Sequence, residues 1–251
     1  MSFEPTVGTM LYIAAVYLLA GVVKGVLGIG MPLITIPMLA ATVGPITAMA
    51  LLAVPTFAIN LFQTAQSGYM LGALRRFWVA YPLLIIGVVV AVSLLLTRLD
   101  RDALMILVGA VVMLIAVSQL LPFMVTIPRQ AERWCTPVVG IVSGLIGGVT
   151  SFLGPLMVMY LVALRVEKDQ FVGAIALFYM IAAIPFYAGL ALNGYLDWPV
   201  FWASCAAALM IWFGVLIGQK LRARTSGNLF RKLVLGLLIV IGANMIRKGL
   251  M

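Results

Sequence analysis

The sequence predicts an all-α polytopic membrane protein built from two four-segment repeats, each of which opens with a broken helix. Three observations lead to this prediction. Hydrophobic residues make up 65% of the 251 residues and charged residues only 9%. Apolar runs of about 20 residues, the length that crosses a ~30 Å hydrocarbon core, recur along the chain. Glycines and a proline interrupt two of these runs where a helix would otherwise be continuous.

Eight apolar segments follow one another along the chain. The polar interval 123–137 is the longest between them, so we predict that it links an N-terminal repeat, 1–122, to a C-terminal repeat, 138–251. The predicted segments are 9–41 (interrupted), 45–67, 77–96, 103–122, 138–164 (interrupted), 170–192, 198–218 and 229–246.

The two halves carry glycines in the same order, which favours a duplication. One match alone would mean little, because glycine is common in membrane helices. Pro32 matches Pro155 only if the second copy contains four extra residues. The matched glycine pairs are Gly21 with Gly140, Gly25 with Gly144, Gly28 with Gly147, Gly68 with Gly194, Gly87 with Gly214, and Gly109 with Gly236.

Each interrupted segment either crosses the membrane once or enters and returns as a hairpin. As one helix, 9–41 would be about 50 Å long, well beyond the core thickness. Hairpins divide the basic residues four against eleven between the two sides, whereas single crossings leave only a weak bias. The positive-inside rule therefore favours hairpins. Three full crossings then remain in each half, so the repeats are predicted to be inverted, with both termini outside the cytoplasm.

Lys24 is a single charge deep in an apolar run, directly before the first glycine-rich break. A lone ammonium at membrane depth costs about 2.5–3.5 kcal/mol on insertion scales, which makes it a candidate for function. All seven acidic residues fall in loops or at helix ends, and there is no histidine, so the natural counter-charge is an external anion. The alternative is that the long side chain snorkels to the interface.

The two breaks are predicted to supply further contacts to this anion. Helices that begin after Gly30 and Gly154 present free N–H groups and a positive dipole end, and Pro32 suits a first turn. For the hydroxyls and amides, bonding within the chain's own helices is the competing explanation. The predicted substrate-binding residues are Lys24, Gly28, Gly30, Pro32, Asn60, Gln63, Gly147, Gly148, Thr150, Ser151, Gly154 and Tyr187.

These features resemble the sulfite exporter TauE/SafE family. The resemblance rests on the glycine-rich motifs at 25–32 and 144–155 and on the Gly-Tyr pair after the second helix of each half. It implies a bacterial or archaeal multi-pass transporter of the inner membrane. The implied activity is alternating-access export of sulfur-containing anions such as sulfite, sulfoacetate or other organosulfonates. The chain departs from the fuller glycine run of the family at Met31.

An anion channel, or a transporter of a non-sulfur carboxylate, is the alternative to this function. An enzyme is not expected, because no histidine is present to activate a nucleophile such as Ser143. No cofactor and no metal are expected. The expected partners are a small anion and membrane lipid, and a homo-oligomer is compatible with the sequence.

The net charge is +9, but the basic residues lie mostly between the apolar segments, where they orient the chain in the bilayer. Nucleic acid is therefore not expected as a partner. The apolar segments contain no carboxylate or histidine that could relay a proton. The anion therefore either carries its own proton or follows the membrane potential. That potential supplies about 2.3 kcal/mol per charge per 100 mV.

Overall fold

The computed structural model describes residues 6–27, 31–120, 126–152, 154–222 and 227–250, and helices joined by short turns and loops make up nearly all of them. The predicted all-α membrane fold is confirmed. Five of the described helices are long and apolar enough to cross a membrane, or six if the bent pair α5 and α6 counts as one span. The helices are α1 (Val7–Leu27), α2 (Met31–Val43), α3 (Pro45–Ala50), α4 (Ala53–Ser67), α5 (Met70–Arg76), α6 (Ala80–Arg98), α7 (Arg101–Leu120), α8 (Arg129–Thr150), α9 (Gly154–Ala163), α10 (Lys168–Leu192), α11 (Trp198–Arg222) and α12 (Gly227–Gly249).

The first interrupted segment is a hairpin. Its long arm, α1, ends at Leu27, and its short arm, α2, begins at Met31. The Tyr12 hydroxyl near the start of α1 donates a 2.9 Å hydrogen bond to the carbonyl of Met38, which lies near the middle of α2. Because a residue two turns into the short arm lies beside the start of the long arm, α2 turns back along α1.

The second interrupted segment, α8 and α9, has the same form. The N–H of Ile127, just before α8, donates a 2.9 Å hydrogen bond to the carbonyl of Ala163, the last residue of α9. The Thr136 hydroxyl on α8 is hydrogen-bonded to the Tyr160 hydroxyl on α9. Both interrupted segments therefore turn back on themselves, as the hairpin prediction requires, while their return to one membrane face and the inverted orientation of the two repeats stay predictions.

The chain forms two compact units, each assembled from both halves of the sequence. Unit 1 comprises Met1–Pro55, Leu99–Pro122 and Gly194–Met251, and unit 2 comprises Thr56–Arg98 and Phe123–Asn193. The repeat boundaries derived from the sequence describe a duplication and stay a prediction. The interval 123–137 predicted as a linker contains the start of α8.

In unit 1, α1 and α11 run parallel with their backbones in close contact. A Cβ on Gly21 would lie 2.4 Å from the carbonyl oxygen of Ile211, and one on Gly25 would lie 2.5 Å from that of Val215. Small residues let membrane helices approach in this way, since dispersion contacts between the backbones replace those with lipid. These glycines therefore fix the distance between α1 and α11.

Ser204 on α11 compensates the interruption between α3 and α4. Its hydroxyl donates to the carbonyl of Leu51 at 2.8 Å and accepts from the N–H of Val54 at 3.0 Å. Backbone groups freed from a helix at membrane depth cost several kcal/mol each when unpaired. The fully buried Ser204 removes part of that cost for the break.

In unit 2, α6 and α8 form the equivalent parallel pair. A Cβ on Gly144 would lie 2.4 Å from the carbonyl oxygen of Leu84 and 3.0 Å from the Cα of Gly87. A Cβ on Gly148 would lie 2.6 Å from that of Ala91. Gly148, predicted from the sequence to bind substrate, thus has a packing role in the structure.

The two hairpins align without an insertion when each residue of the first is paired with the residue 123 positions later in the chain. At this offset the ends of α1 and α8, Leu27 and Thr150, coincide, as do the starts of α2 and α9, Met31 and Gly154. Four extra residues in the second copy are therefore not needed. The predicted alignment of the first helices was wrong by four residues.

The helix contacts give the reason for this error. Gly21 on α1 faces Gly214 on α11. In the second half, the glycine of α8 that makes the equivalent contact is Gly144, which faces Gly87 on α6. Glycines recur every four residues in α8, which is about one helical turn, so the sequence alone permits a slip of one turn. At the corrected offset, Lys24 corresponds to Gly147.

Candidate anion-binding site

Lys24 lies in the last turn of α1, directly before the first break. Protein surrounds this side chain, yet it keeps some accessible surface. Among the residues that the structure describes, it has no hydrogen bond or ion pair. The carbonyl end of α1 favours a cation but supplies only a partial negative charge. Lys24 is therefore a positive charge whose counter-ion is not found in the described part of unit 1.

The other predicted residues of the first break are only partly described. Gly28 and Gly30 lie outside the described residues. Pro32 is the second residue of α2, where its missing N–H removes no intrahelical hydrogen bond. The hydroxyl of the fully buried Thr35 donates a 2.9 Å hydrogen bond to the carbonyl of Met31, one turn earlier in α2, as hydroxyls in membrane helices commonly do.

At the second break, in unit 2, backbone groups are hydrogen-bonded to other backbone groups and to one hydroxyl. Ser151 adopts a left-handed conformation with φ 62°, and its N–H donates to the carbonyl of Gly147 at 2.6 Å. The Thr150 hydroxyl donates to the carbonyl of Ile146 at 2.6 Å and accepts from the N–H of Phe152 at 3.2 Å. Because its only proton is used within α8, the structure favours the local explanation for Thr150.

A cluster of buried hydroxyl and amide groups lies beside this break. The Tyr187 hydroxyl on α10 is 3.2 Å from the Thr56 hydroxyl on α4, and Ser151 is its second polar neighbour. Asn60 donates from its amide to the carbonyl of Thr56 at 2.8 Å, which leaves its side-chain oxygen available. Gln63, one turn further on α4, is half-buried.

Tyr179 places a hydroxyl at the start of α9. A Cβ on Gly154, the first residue of α9, would lie 1.7 Å from the Tyr179 hydroxyl oxygen. The first N–H groups of a helix have no intrahelical acceptor and carry the positive end of the dipole. Gly154 is buried, so the Tyr179 hydroxyl and the start of α9 meet in the interior of unit 2.

Two buried hydroxyls of unit 2 have no partner within the described residues. They belong to Thr64 on α4 and Ser143 on α8, and each residue is only 1% exposed. An unpaired buried hydroxyl costs about 1–3 kcal/mol. Thr64 continues the i, i+4 series of Thr56 and Asn60, so polar groups line one face of α4.

The sequence argument placed Asn60, Ser151 and Tyr187 in the site but missed Thr56 and Tyr179. Helical spacing was the signal that could have found them. Thr56 precedes Asn60 by four residues, and Tyr179 precedes Tyr187 by eight, which puts each pair on one face of its helix. A search for polar groups spaced along the predicted helices would have included both.

Within the described residues, Lys24 at the end of α1 and neutral donors at the start of α9, each beside the break of a helical hairpin, are typical of a multi-pass membrane protein of the transport class. The family model for the sulfite exporter TauE/SafE family matches residues 13–245, and the chain belongs to this family. No curated protein and no solved structure matches it. The family is one of membrane exporters of sulfite and related anions, not one of enzymes.

Proposed function

We propose that the protein exports small sulfur-containing anions, such as sulfite, sulfoacetate or other organosulfonates, across the cell inner membrane by alternating access. The observation that carries this proposal is Lys24, a deep ammonium without a described counter-ion in a family of anion exporters. A substrate anion neutralises that charge when it binds. The binding energy therefore includes relief of a cost of about 2.5–3.5 kcal/mol.

The second break contributes neutral donors to the same function. The Tyr179 hydroxyl and the first N–H groups of α9 bind sulfonate or sulfite oxygens, as helix N-termini do for oxyanions in general. Ser151 and Tyr187 add two more hydroxyls. Lys24 and these neutral donors are proposed to contribute to the same transport function, each from its own unit.

Export follows from the charge of the substrate. A cell interior that is negative by 100 mV drives one negative charge outward with about 2.3 kcal/mol. Substrate protonation offers a second coupling route, since a weak acid carries its own proton. Neither route requires a titratable relay from the protein.

The test is thermal stabilisation of the purified protein by a panel of sulfite, sulfoacetate, sulfate, thiosulfate, phosphate and acetate. A substrate at 100 times its Kd stabilises the folded state by about 2.7 kcal/mol. We expect Lys24→Ala to lose this stabilisation while the anion-free protein becomes more stable, because a buried charge is removed. Lys220→Ala, which removes an exposed lysine of α11, is the matched control and should respond like the wild type.

The outcomes separate the possible roles of Lys24. If Lys24→Ala keeps its full response to sulfite, Lys24 does not bind the anion and the proposal fails. Loss of stability both with and without anion would assign Lys24 a structural role. Stabilisation by acetate alone would favour a carboxylate transporter, and non-saturable flux into vesicles would favour a channel.

A further inference from the structure

Unit 1 contains an apolar groove between the first three turns of α1 and of α11. The groove encloses about 350 Å³ and is lined from Met10 to Tyr17 on one helix and from Pro199 to Met210 on the other. Its lining contains no charged side chain. The groove therefore offers nothing to the anion of the proposed function and needs an apolar occupant.

Small side chains create the groove. Ala14 on α1 and Ala203, Ala206 and Ala207 on α11 form much of its wall. Ala206 is exposed, so the groove opens at the surface of the unit, while Tyr17 is completely buried at the other end of the α1 lining. In a protein that spans a membrane, hydrocarbon is the solvent available to such an opening.

The length and position of the groove match one leaflet of the bilayer. From Pro199 to Met210 the α11 lining rises about 16 Å, which is roughly half of a ~30 Å hydrocarbon core. Trp198 and Trp202, at the same end of α11 as Pro199, are 73% and 65% exposed. Tryptophan is enriched at membrane interfaces, and these two lie at the start of α11, so the groove begins near the lipid headgroups and its rise of about 16 Å ends near the bilayer centre.

We infer that this groove is a binding site for one acyl chain of a membrane phospholipid. An acyl chain fits the apolar lining, the leaflet-long path and the opening toward lipid. A second copy of the protein would have to insert a side-chain ridge of the same length into the groove. The inference does not depend on the identity of the transported anion.

Photo-crosslinking in vesicles tests this site directly. The full-length protein is reconstituted with phosphatidylcholine carrying a diazirine in the middle of one acyl chain, and labelled positions are mapped by peptide mass spectrometry. We expect 10–17 and 199–210 to be labelled several-fold more than Phe213 and Leu216, which are exposed on the same helix outside the groove. Ala203→Phe fills the groove and should remove the excess labelling of 10–17 and 199–210.

Leu209→Phe is the matched control, because it adds an aromatic ring on the exposed face of α11. It should leave the excess labelling unchanged. Even labelling along α11, an excess that survives Ala203→Phe, or protein–protein crosslinks in place of lipid adducts would each overturn the inference. If Ala203→Phe fails to fold, the wild-type label map decides alone.

Discussion

One methyl group at the start of α9 tests the placement of Tyr179. In Gly154→Ala the new Cβ would lie 1.7 Å from the Tyr179 hydroxyl oxygen and 3.0 Å from the ring carbon that bears it. The tyrosine must move, and overpacking of this kind typically costs about 1–3 kcal/mol. Tyr179→Phe removes the oxygen and leaves only the 3.0 Å contact, which a shift of a few tenths of an ångström relieves.

The cost of Gly154→Ala should therefore depend on residue 179. We expect about 1–3 kcal/mol with tyrosine and under about 1 kcal/mol with phenylalanine, which is a coupling of about 1–2 kcal/mol. The assay is the free energy of unfolding of all four proteins in mixed micelles. Equal costs in both backgrounds would refute the contact between Tyr179 and Gly154, and with it the hydroxyl at the start of α9.

Two further predictions concern helix packing and an ion pair. Gly25→Ala should destabilise the protein by about 1–3 kcal/mol because its Cβ meets backbone of α11, whereas Gly236→Ala, with open space around it, should be neutral or stabilising by up to about 1 kcal/mol. Similar thermal shifts for both variants would contradict the close approach. The 2.7 Å ion pair of Arg76 and Glu132 is 30% and 18% exposed, so a double-mutant cycle with glutamine at each position should give a coupling of about 1 kcal/mol or less, falling with salt. A salt-independent coupling of several kcal/mol would show that the pair is far less solvated than this.

The breaks were predictable from sequence because their causes are local. A helix over 9–41 is too long for the membrane, and glycine followed by proline marks where it stops and restarts. Pro32 and Pro155 accordingly lie in the first turns of α2 and α9. Charge segregation then identified the hairpins, since the positive-inside rule responds to which loops share a side.

Register and hydrogen-bond partners were not predictable because they depend on contacts distant in sequence. Which glycine of α8 faces Gly87 depends on how α8 packs against the backbone of α6, and in the structure it is Gly144. Thr150 looked like an anion donor from its position, but the nearby carbonyl of Ile146 takes its proton. The contact between Thr56 and Tyr187 was not predictable either, because it depends on how α10 packs against α4.

The charge asymmetry of the two hairpins bears on the anion itself. At the offset that aligns them, Lys24 corresponds to Gly147, so the second hairpin carries no counterpart of this ammonium. A second ammonium would add another cost of about 2.5–3.5 kcal/mol, which only a second negative charge on the guest could offset. Under the proposed function, the single charge of Lys24 matches a monoanion, such as a sulfonate or a singly protonated sulfite, better than a dianion such as sulfate. The same protonation that makes sulfite a monoanion would also let the substrate carry its own proton, so substrate choice and coupling would follow from the single charge at Lys24.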